Sequence, residues 1–419
     1  MKSLSLAKKT KIFLESSLHG NFNSFLTTGF RQLVGFLLGI FTSIVVAKTL
    51  GPEGNGLYIT FTSSVALSVL IVSLGFSNYQ AYAAAKKFRS EKLLISGLIY
   101  SVAVFFPLSA LAGFTFLVLG FFDSSYIFIF IVASTCSIAF QSGLGYVQGK
   151  GNMKYYNIFS LVSPLILFVF AIFLYFFKKT EVIFWGFALS EFFAAFFVVG
   201  WCIYSLKRPL IKFTTKLAIL YLRESISYGV KSQIIVVITY LMYRGIILMM
   251  ASKYSPASVG VLGFSLSLVE KSWIFSQVAS IVLFKDMASK DFTIDKLKKS
   301  IALMFFLSLF GILFLGIIFS FFGEYMGPGY SDVLKYFLIL SPGVAAFSGA
   351  RICVNYLLLR GVNAFDVMIF LILLLITFVI AFFLILNYQI TGGALAISLG
   401  YVLYFITVYK LIEVKNVTR

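Results

Sequence analysis

Ionisable side chains lie inside the apolar stretches of this 419-residue chain. Such a charge is stable there only when it pairs, reaches the headgroup level, or faces a wet cavity. Arginine and lysine in a cavity can replace the water around phosphate oxygens, arginine through a bidentate fork and lysine as a point charge. The set therefore predicts a site for an anionic ligand. Its members are the cations Arg31, Lys231, Arg244, Lys271 and Arg351 and the carboxylates Glu191, Glu270 and, near the start of its apolar stretch, Asp366.

Two of the carboxylates have a second possible use. Glu270 and Glu191 are candidates for a step coupled to protons or other cations, because a carboxylate removed from water can bind a proton or another cation that neutralises its charge. The alternative is structural pairing with Lys271 or Arg244. No catalytic residues are predicted. The single histidine, His19, and three widely separated cysteines suggest neither a metal site nor a disulfide framework, and no cofactor is predicted.

The elements that must position these charges are transmembrane helices. The chain is 60% hydrophobic and 12% charged, whereas soluble domains carry about 25% charged residues. This composition excludes a soluble enzyme and a secreted disulfide domain. Apolar runs of about 20 residues are long enough to span a bilayer. They predict twelve spans, at about 24–47, 57–79, 93–120, 126–147, 155–177, 182–206, 226–251, 257–284, 301–322, 333–358, 365–386 and 391–412.

The distribution of basic residues predicts the orientation of these spans. Of the 34 lysines and arginines, 24 fall in the terminal segments and in the loops on the same side, and 5 fall in the opposite loops. The positive-inside rule then puts both termini in the cytoplasm. The net charge of +19 is read as this signal and as an attraction to anionic lipids. Nucleic acid is not expected as a partner, because no segment outside the spans is long enough to fold alone.

The chain also contains an internal repeat. LGPEGNGLYITF at 50–61 parallels YSPASVGVLGF at 254–264, and QGKGNMKYYN at 148–157 parallels LRGVNAFDV at 359–367. The repeat predicts an all-α membrane protein with two six-helix halves, related by a pseudo-two-fold axis along the membrane normal. The predicted organisation is a cytoplasmic N-terminal segment (1–23), a first half (24–206), a basic linker (207–225), a second half (226–412) and a cytoplasmic tail (413–419).

The repeat motifs resemble a known family. VVAKTLGPEGNGLY (45–58), SPASVGVLGFSLSLVE (255–270), GPGYSD (327–332) and TGGALAISLG (391–400) are similar to segments of polysaccharide or O-antigen flippases of the Wzx type. These flippases belong to the multidrug/oligosaccharidyl-lipid/polysaccharide exporter superfamily. One departure is that Gly245 follows Arg244, where relatives often carry an acid, so a coupling role for a carboxylate at that point is not carried over.

The resemblance implies translocation of undecaprenyl-diphosphate-linked oligosaccharide units from the cytoplasmic to the periplasmic leaflet. The repeat predicts alternating access between the two halves, through the cationic central cavity that the buried charges predict. The resemblance implies the cytoplasmic (inner) membrane of a bacterium and a role in lipopolysaccharide or O-antigen biosynthesis. Membrane lipids, a polysaccharide polymerase and chain-length proteins are the partners that it implies. No enzyme activity is expected.

Alternatives remain open from the residues. An exporter of another lipid-linked polysaccharide or of teichoic-acid precursors fits the same pattern. A membrane polymerase or glycosyltransferase fits less well, because the outer loops are short and their acids are scattered. A drug or cation antiporter of the same superfamily would need an acidic cavity. The lipid II flippase branch usually carries more spans than the twelve predicted here.

Overall fold

The computed structural model describes residues 22–417, apart from 88, 207–214, 275, 278–282, 284–286, 288–292, 323–325 and 361–362. Within these residues the secondary structure is helical, with no β-strand. The predicted N-terminal segment therefore lies almost wholly outside the described residues. The beginning of the predicted basic linker also lies outside them, and a helix begins inside that linker at Thr215.

The first half is built on a bent first helix. Helix α1, Phe22–Ser73, turns sharply at Gly51, where φ is 68° and Pro52 follows. A positive φ is accessible to glycine, and proline supplies no amide hydrogen to continue the helix across the bend. The chain therefore crosses and returns within one element. The other helices of this half are α2 Phe76–Ala85, α3 Glu91–Val118, α4 Ile127–Gly149, α5 Met153–Phe177 and α6 Thr180–Ser205.

The second half repeats this plan. Helix α7, Thr215–Tyr240, passes through one π-helical turn, Leu241–Gly245, into α8, Ile246–Ala251. The long last helix bends at Gln389, which has a φ of 50°, so that it too makes two crossings. The remaining helices are α9 Pro256–Glu270, α10 Ile294–Phe322, α11 Val333–Arg360 and α12 Ala364–Val417.

These helices make the chain a multi-pass membrane protein. Nine helical segments of the described chain are long and apolar enough to cross a membrane. The bent α1 and α12 each contribute two crossings, and α9, which continues as a 3₁₀ turn, begins a further one. Within the described residues the first half, α1–α6, makes six crossings, and the second half, α7–α12, makes five and begins a sixth at α9. The two halves have the pseudo-two-fold arrangement predicted from the repeat.

Each half packs around a core of its own. In the first half the rings of Phe61 and Phe184 stack with centroids 4.5 Å apart. In the second half Phe347 packs against Tyr401, with centroids 4.7 Å apart. Large apolar side chains such as Phe176 remain exposed on the outside, which suits a surface surrounded by lipid tails. Two separate cores allow the halves to behave as two rigid bodies.

The repeated motifs meet each other where the two halves touch. A Cβ atom on Gly56 would lie 1.8 Å from the carbonyl oxygen of Pro256, and one on Gly260 would lie 1.9 Å from that of Pro52. Asn55 also donates a hydrogen bond to the Gly260 carbonyl at 3.2 Å. The glycine of each repeat thus packs against the proline carbonyl of the other repeat. We call residues 52–56 with 256–260 the PxxxG contact.

The halves also touch near the opposite face, which carries the basic loops and is called the basic face below. Arg89 donates two hydrogen bonds to the carboxylate of Glu224, one of them from Nε at 3.1 Å, and the Tyr79 hydroxyl donates to the same carboxylate at 3.0 Å. Beside them a Cβ on Gly229 would lie 2.7 Å from the Leu74 carbonyl oxygen. These contacts hold the beginning of helix α7 against the first half.

The Arg89–Glu224 contact predicts a pH-dependent stability. Hydrogen bonding from Arg89 lowers the pKa of Glu224 from its ordinary value of 4.5. The contribution of the ionised Glu224 to the free energy of unfolding is therefore complete above pH 4.5, and it is lost as the pH falls below that value and the carboxylate is protonated. We expect Glu224→Gln to reduce stability by about 0.5–1 kcal/mol near neutral pH, because the pair is partly exposed.

Thermal unfolding of purified protein across a pH series would measure this effect. The difference between the Glu224→Gln variant and the wild type should shrink in acid, where the wild-type carboxyl is itself protonated. Glu181→Gln is the control, since Glu181, at the start of α6, makes no ion pair among the described residues. A difference that stays constant with pH would contradict the assignment.

Candidate functional site

A cavity of 830 Å³ lies between the two halves. Helices α1 and α5 line it from the first half, and α7, α9 with the 3₁₀ turn that follows it, α11 and α12 line it from the second. Its wall extends from Arg31, near the beginning of α1, to Asn355, near the end of α11. Both of these helix ends belong to the basic face. The PxxxG contact joins the halves at the other face, so the cavity lies on the basic side of the molecule.

Arg31 lines the part of the cavity that is nearest the basic face. Its Nη1 atom donates to the Ser160 hydroxyl at 3.0 Å, and its guanidinium carbon lies 5.5 Å from the centre of the Tyr156 ring. Its Nε is buried and has no hydrogen-bond partner among the described residues. A guanidinium has five N–H donors, so Arg31 retains donors for a ligand.

The π-helical turn in α7 places the next cation. Such turns are rare in proteins, and those that occur often lie at functional sites. Here the turn carries Arg244, whose Nη2 atom donates to Glu270 at 2.6 Å, and the Tyr401 hydroxyl donates to the same carboxylate at 3.2 Å. The Arg244 and Glu270 side chains are 20% and 11% exposed. This pair is the structural alternative considered for both residues, although both also line the cavity.

Lys271 follows Glu270 and lies deep in the cavity. It makes no hydrogen bond or ion pair within the described part of the chain, because its acidic neighbour is engaged with Arg244. Its ammonium group lies against α1 at Gly39, where a Cβ would be 2.7 Å from Nζ. A lysine of the second half therefore reaches the first half across the cavity.

Arg351 completes the cationic wall from α11. Its guanidinium carbon lies 5.0 Å from the centre of the Trp273 ring, within the range of a cation–π contact. Its Nη1 atom is buried without a hydrogen-bond partner among the described residues. The ring of Trp273 packs in turn on Phe347, with centroids 5.0 Å apart. An aromatic surface thus holds the guanidinium while leaving donors free.

The structure brings four of the five candidate cations to one cavity, together with Glu270. Lys231 belongs to α7, but its side chain lies outside the described residues. Asp366 does not line the cavity: it pairs with Lys415 and accepts a hydrogen bond from the Asn363 amide at 2.9 Å. It serves to begin α12.

Glu191 occupies a different chamber. Its carboxylate accepts hydrogen bonds from Ser137 and Ser163, both at 2.7 Å, inside the first half. It lines a cavity of 330 Å³ that also borders Tyr243, and Tyr243 borders the central cavity as well. The two carboxylates proposed for coupling therefore lie in neighbouring but separate cavities.

Sequence reasoning missed the neutral part of the lining. Ser160, Gln277 and Asn355 face the cavity as hydrogen-bonding side chains, and Tyr243 and Trp273 supply aromatic surface. A polar amide inside an apolar span is the one signal that could have found Gln277 and Asn355. For the serine and the aromatic residues the sequence holds many equivalents, and only the packing distinguishes them.

Comparisons with known proteins identify the fold. No protein-family model matches the chain, and no curated protein sequence matches it significantly. Among solved structures, the lipid II flippase MurJ in an inward closed conformation superposes with a TM-score of 0.69 at 14% identity, over 93% of this chain and 87% of MurJ. An inward-facing MATE multidrug transporter of the MOP superfamily superposes with a TM-score of 0.64 at 11% identity, over 92% of this chain and 98% of the transporter.

A third solved structure has the same fold. The MATE multidrug transporter DinF-BH, in complex with a ligand, superposes with a TM-score of 0.62 at 13% identity, over 95% of each chain. The fold is therefore the one shared by these flippases and transporters, and it includes the two-half arrangement.

Proposed function

We propose that this protein is a flippase for a lipid-linked oligosaccharide carried on a prenyl diphosphate. The observation that carries the proposal is the charge of the cavity: Arg31, Lys271, Arg351 and the paired Arg244 face it against one acid, Glu270. A site with this excess of positive charge suits an anionic headgroup and disfavours a cationic drug.

The free donors suggest how the headgroup is held. Crossing the apolar layer removes water from the diphosphate oxygens, and the unpaired N–H groups of Arg31, Lys271 and Arg351 can take its place. The side chains of Ser160, Gln277 and Asn355 can hydrogen-bond to sugar hydroxyls. The prenyl tail is expected to stay in the surrounding lipid.

Alternating access is the proposed mechanism. The positive-inside rule makes the basic face cytoplasmic, so the cavity belongs to the cytoplasmic side and the PxxxG contact to the other. Separation of residues 52–56 from residues 256–260 would open the cavity outward while the two cores stay intact. Solved MATE transporters with this fold include inward-facing and outward-facing conformations, which supports the proposal.

The finer assignment is an O-antigen flippase of the Wzx type. In this proposal undecaprenyl diphosphate is the carrier, the protein lies in a bacterial inner membrane with cytoplasmic termini, and a polysaccharide polymerase and chain-length proteins receive its product. The motif resemblance and the cationic cavity support it. Export of a teichoic-acid precursor or of another lipid-linked polysaccharide is the alternative within the same chemistry.

Ion coupling is assigned to Glu270 and Glu191 in this proposal. Glu270 accepts a hydrogen bond from Arg244, one of the cavity cations. Glu191 lies in the second cavity, and Tyr243 borders both cavities. Lys231 is included among the substrate-binding cations, because it occupies the position of Arg31 in the parallel segments GFRQ (29–32) and GVKS (229–232).

The experiment is complementation of a bacterial strain that lacks its own lipid-linked oligosaccharide flippase. Wild-type protein should restore surface glycan, and Arg351→Ala should lower the initial rate of its export by about tenfold to a hundredfold, the loss expected for one charge-assisted contact. Lys410→Ala removes a lysine whose side chain is 69% exposed, near the end of α12, and is the control. Equal export by both variants at equal protein levels would count against the cavity as the transport site.

A further inference from the structure

A single glycine makes the contact between Lys271 and the first half possible. Gly39 lies in the middle of α1, and a Cβ at this position would be 2.7 Å from the Lys271 Nζ atom and 3.9 Å from its Cε atom. Real Cβ atoms do not approach another atom at 2.7 Å, so any other residue at this position would displace the ammonium group. The space over Gly39 is occupied by the one cationic side chain.

Nothing else at this position calls for glycine. Gly39 has ordinary helical geometry within α1, and glycine in a helix interior destabilises it relative to alanine. Its carbonyl oxygen already accepts a hydrogen bond from Ser43 at 2.8 Å. One turn earlier, Gly35 has its nearest neighbour, the Leu161 Cδ2 atom, at 3.9 Å and would accept a methyl group. Gly35 and Gly39 therefore differ in what lies over them.

Among the described residues, Lys271 has no ion-pair partner that would draw its ammonium group away from Gly39. Glu270 is bound to Arg244 at 2.6 Å and to the Tyr401 hydroxyl at 3.2 Å. Both of those partners come from the second half, and they leave the lysine directed across the cavity. The ammonium is consequently placed by the shape of α1, because no acid among the described residues holds it there.

We propose that Gly39 is a positioning residue for Lys271: its missing side chain lets the ammonium group of the second half lie on α1 of the first half, where it meets the phosphate groups of the ligand. This inference rests on the proposed function for the identity of the ligand. The Gly39–Lys271 contact itself is independent of that identity. A methyl group at Gly39 would move the flexible end of the lysine without disturbing the backbone.

Binding of farnesyl diphosphate to the purified protein tests the role toward the ligand. Trp273 lines the cavity, so its fluorescence can report binding, with farnesol as the uncharged control. We expect Gly39→Ala to weaken farnesyl diphosphate binding by about tenfold, the effect of displacing one charge-assisted contact. Gly29→Ala is the matched control: Gly29 also belongs to α1, does not line the cavity and has nothing within 4 Å of a Cβ, so this variant should bind as the wild type does.

A double-variant cycle separates positioning from a general structural effect. If Gly39 acts through the lysine, Gly39→Ala should change nothing further once Lys271→Ala is present. An equal loss of binding from Gly39→Ala in both backgrounds would overturn the proposal.

A second measurement needs no ligand and therefore remains decisive if farnesyl diphosphate does not bind. A carboxylate introduced as Gly39→Asp would pair with Lys271 but would be unpaired beside Lys271→Ala. We expect Gly39→Asp to unfold at a clearly higher temperature with Lys271 present than with Lys271→Ala, and Gly29→Asp, outside the cavity lining, to show no such dependence. Equal unfolding temperatures in the two Gly39→Asp backgrounds would refute the contact, whereas absent binding by wild type with the contact intact would refute the proposed ligand.

Discussion

Replacing Gly260 with alanine is expected to stop transport and to open the cavity to the face opposite the basic loops. The new Cβ would lie 1.9 Å from the Pro52 carbonyl oxygen and 2.9 Å from the Gly56 amide nitrogen. Both atoms belong to backbone, so neither can move away as a side-chain end would. The halves must separate at the PxxxG contact, and the conformation with the cavity on the basic side loses stability.

The size of this effect follows from the cost of overpacking. Forcing an extra methyl group into a well-packed contact costs about 1–3 kcal/mol, which changes a two-state equilibrium about 5- to 150-fold. Gly56→Ala should act in the same direction, since its Cβ would lie 1.8 Å from the Pro256 carbonyl oxygen. Two substitutions 204 positions apart in the sequence are thus expected to give one phenotype.

Cysteine labelling in intact cells would measure the shift. Ser267 lines the cavity, and Ser267→Cys, in a background without the native cysteines, reports access for a membrane-impermeant thiol reagent. Labelling should rise in the Gly260→Ala variant while export of glycan falls. Gly200→Ala is the control, because nothing lies within 4 Å of a Cβ at that position. Normal export with unchanged labelling in the Gly260→Ala variant would show that the contact does not control access.

Removing one partner of the Arg244–Glu270 pair is expected to destabilise the whole protein. The two side chains are largely buried and 2.6 Å apart, and loss of one leaves the other as an unpaired charge at membrane depth. Breaking a buried pair in this way costs about 3–5 kcal/mol, whereas replacing both partners by apolar side chains of similar volume is often neutral. Arg244→Met and Glu270→Met should each unfold at lower temperature, and the double variant should recover most of the loss.

The double variant also separates stability from transport. It should be present in the membrane at wild-type levels, because the unpaired charge is gone. Its export of glycan should remain low if Arg244 or Glu270 takes part in the transport cycle. Thermal unfolding of the two single variants and the double variant gives the coupling energy between the partners. If the single variants are as stable as the wild type, the Arg244–Glu270 ion pair does not stabilise the protein. If the double variant exports glycan at the full rate, the ion pair has a structural role and no role in transport.

The crossings of the membrane could be predicted from the sequence because the bilayer imposes them. A span must be long, apolar and internally hydrogen-bonded, and the predicted runs correspond to helices of the described chain, with the run at 257–284 described only in part. The boundaries were less accurate at turns. Residues 24–47 and 57–79 were predicted as separate spans and correspond to the two crossings made by α1, which bends at Gly51; the second run continues past the end of α1 at Ser73 into α2. Helix α7 begins at Thr215, within the predicted linker.

The internal repeat was also visible in the sequence, and so was the type of chemistry in the site. Charges inside apolar runs require a cavity or a partner, whatever the fold. The sequence did not distinguish Glu270, which shares a cavity with four cations, from Glu191, which accepts hydrogen bonds from two serines in another chamber. Both are single carboxylates in apolar helices, so their local sequences carry the same signal.

The sequence by itself determined that this chain crosses the membrane in two repeated halves and that it must shelter an excess of positive charge, since hydropathy and charge act locally along each helix. Only the tertiary structure decided which charges share a cavity, that Arg244 is paired while Lys271 is not, and that Gly39 leaves room for the lysine. These outcomes depend on how α1, α7 and α9 approach one another, and that approach is a property of packing between helices distant in sequence.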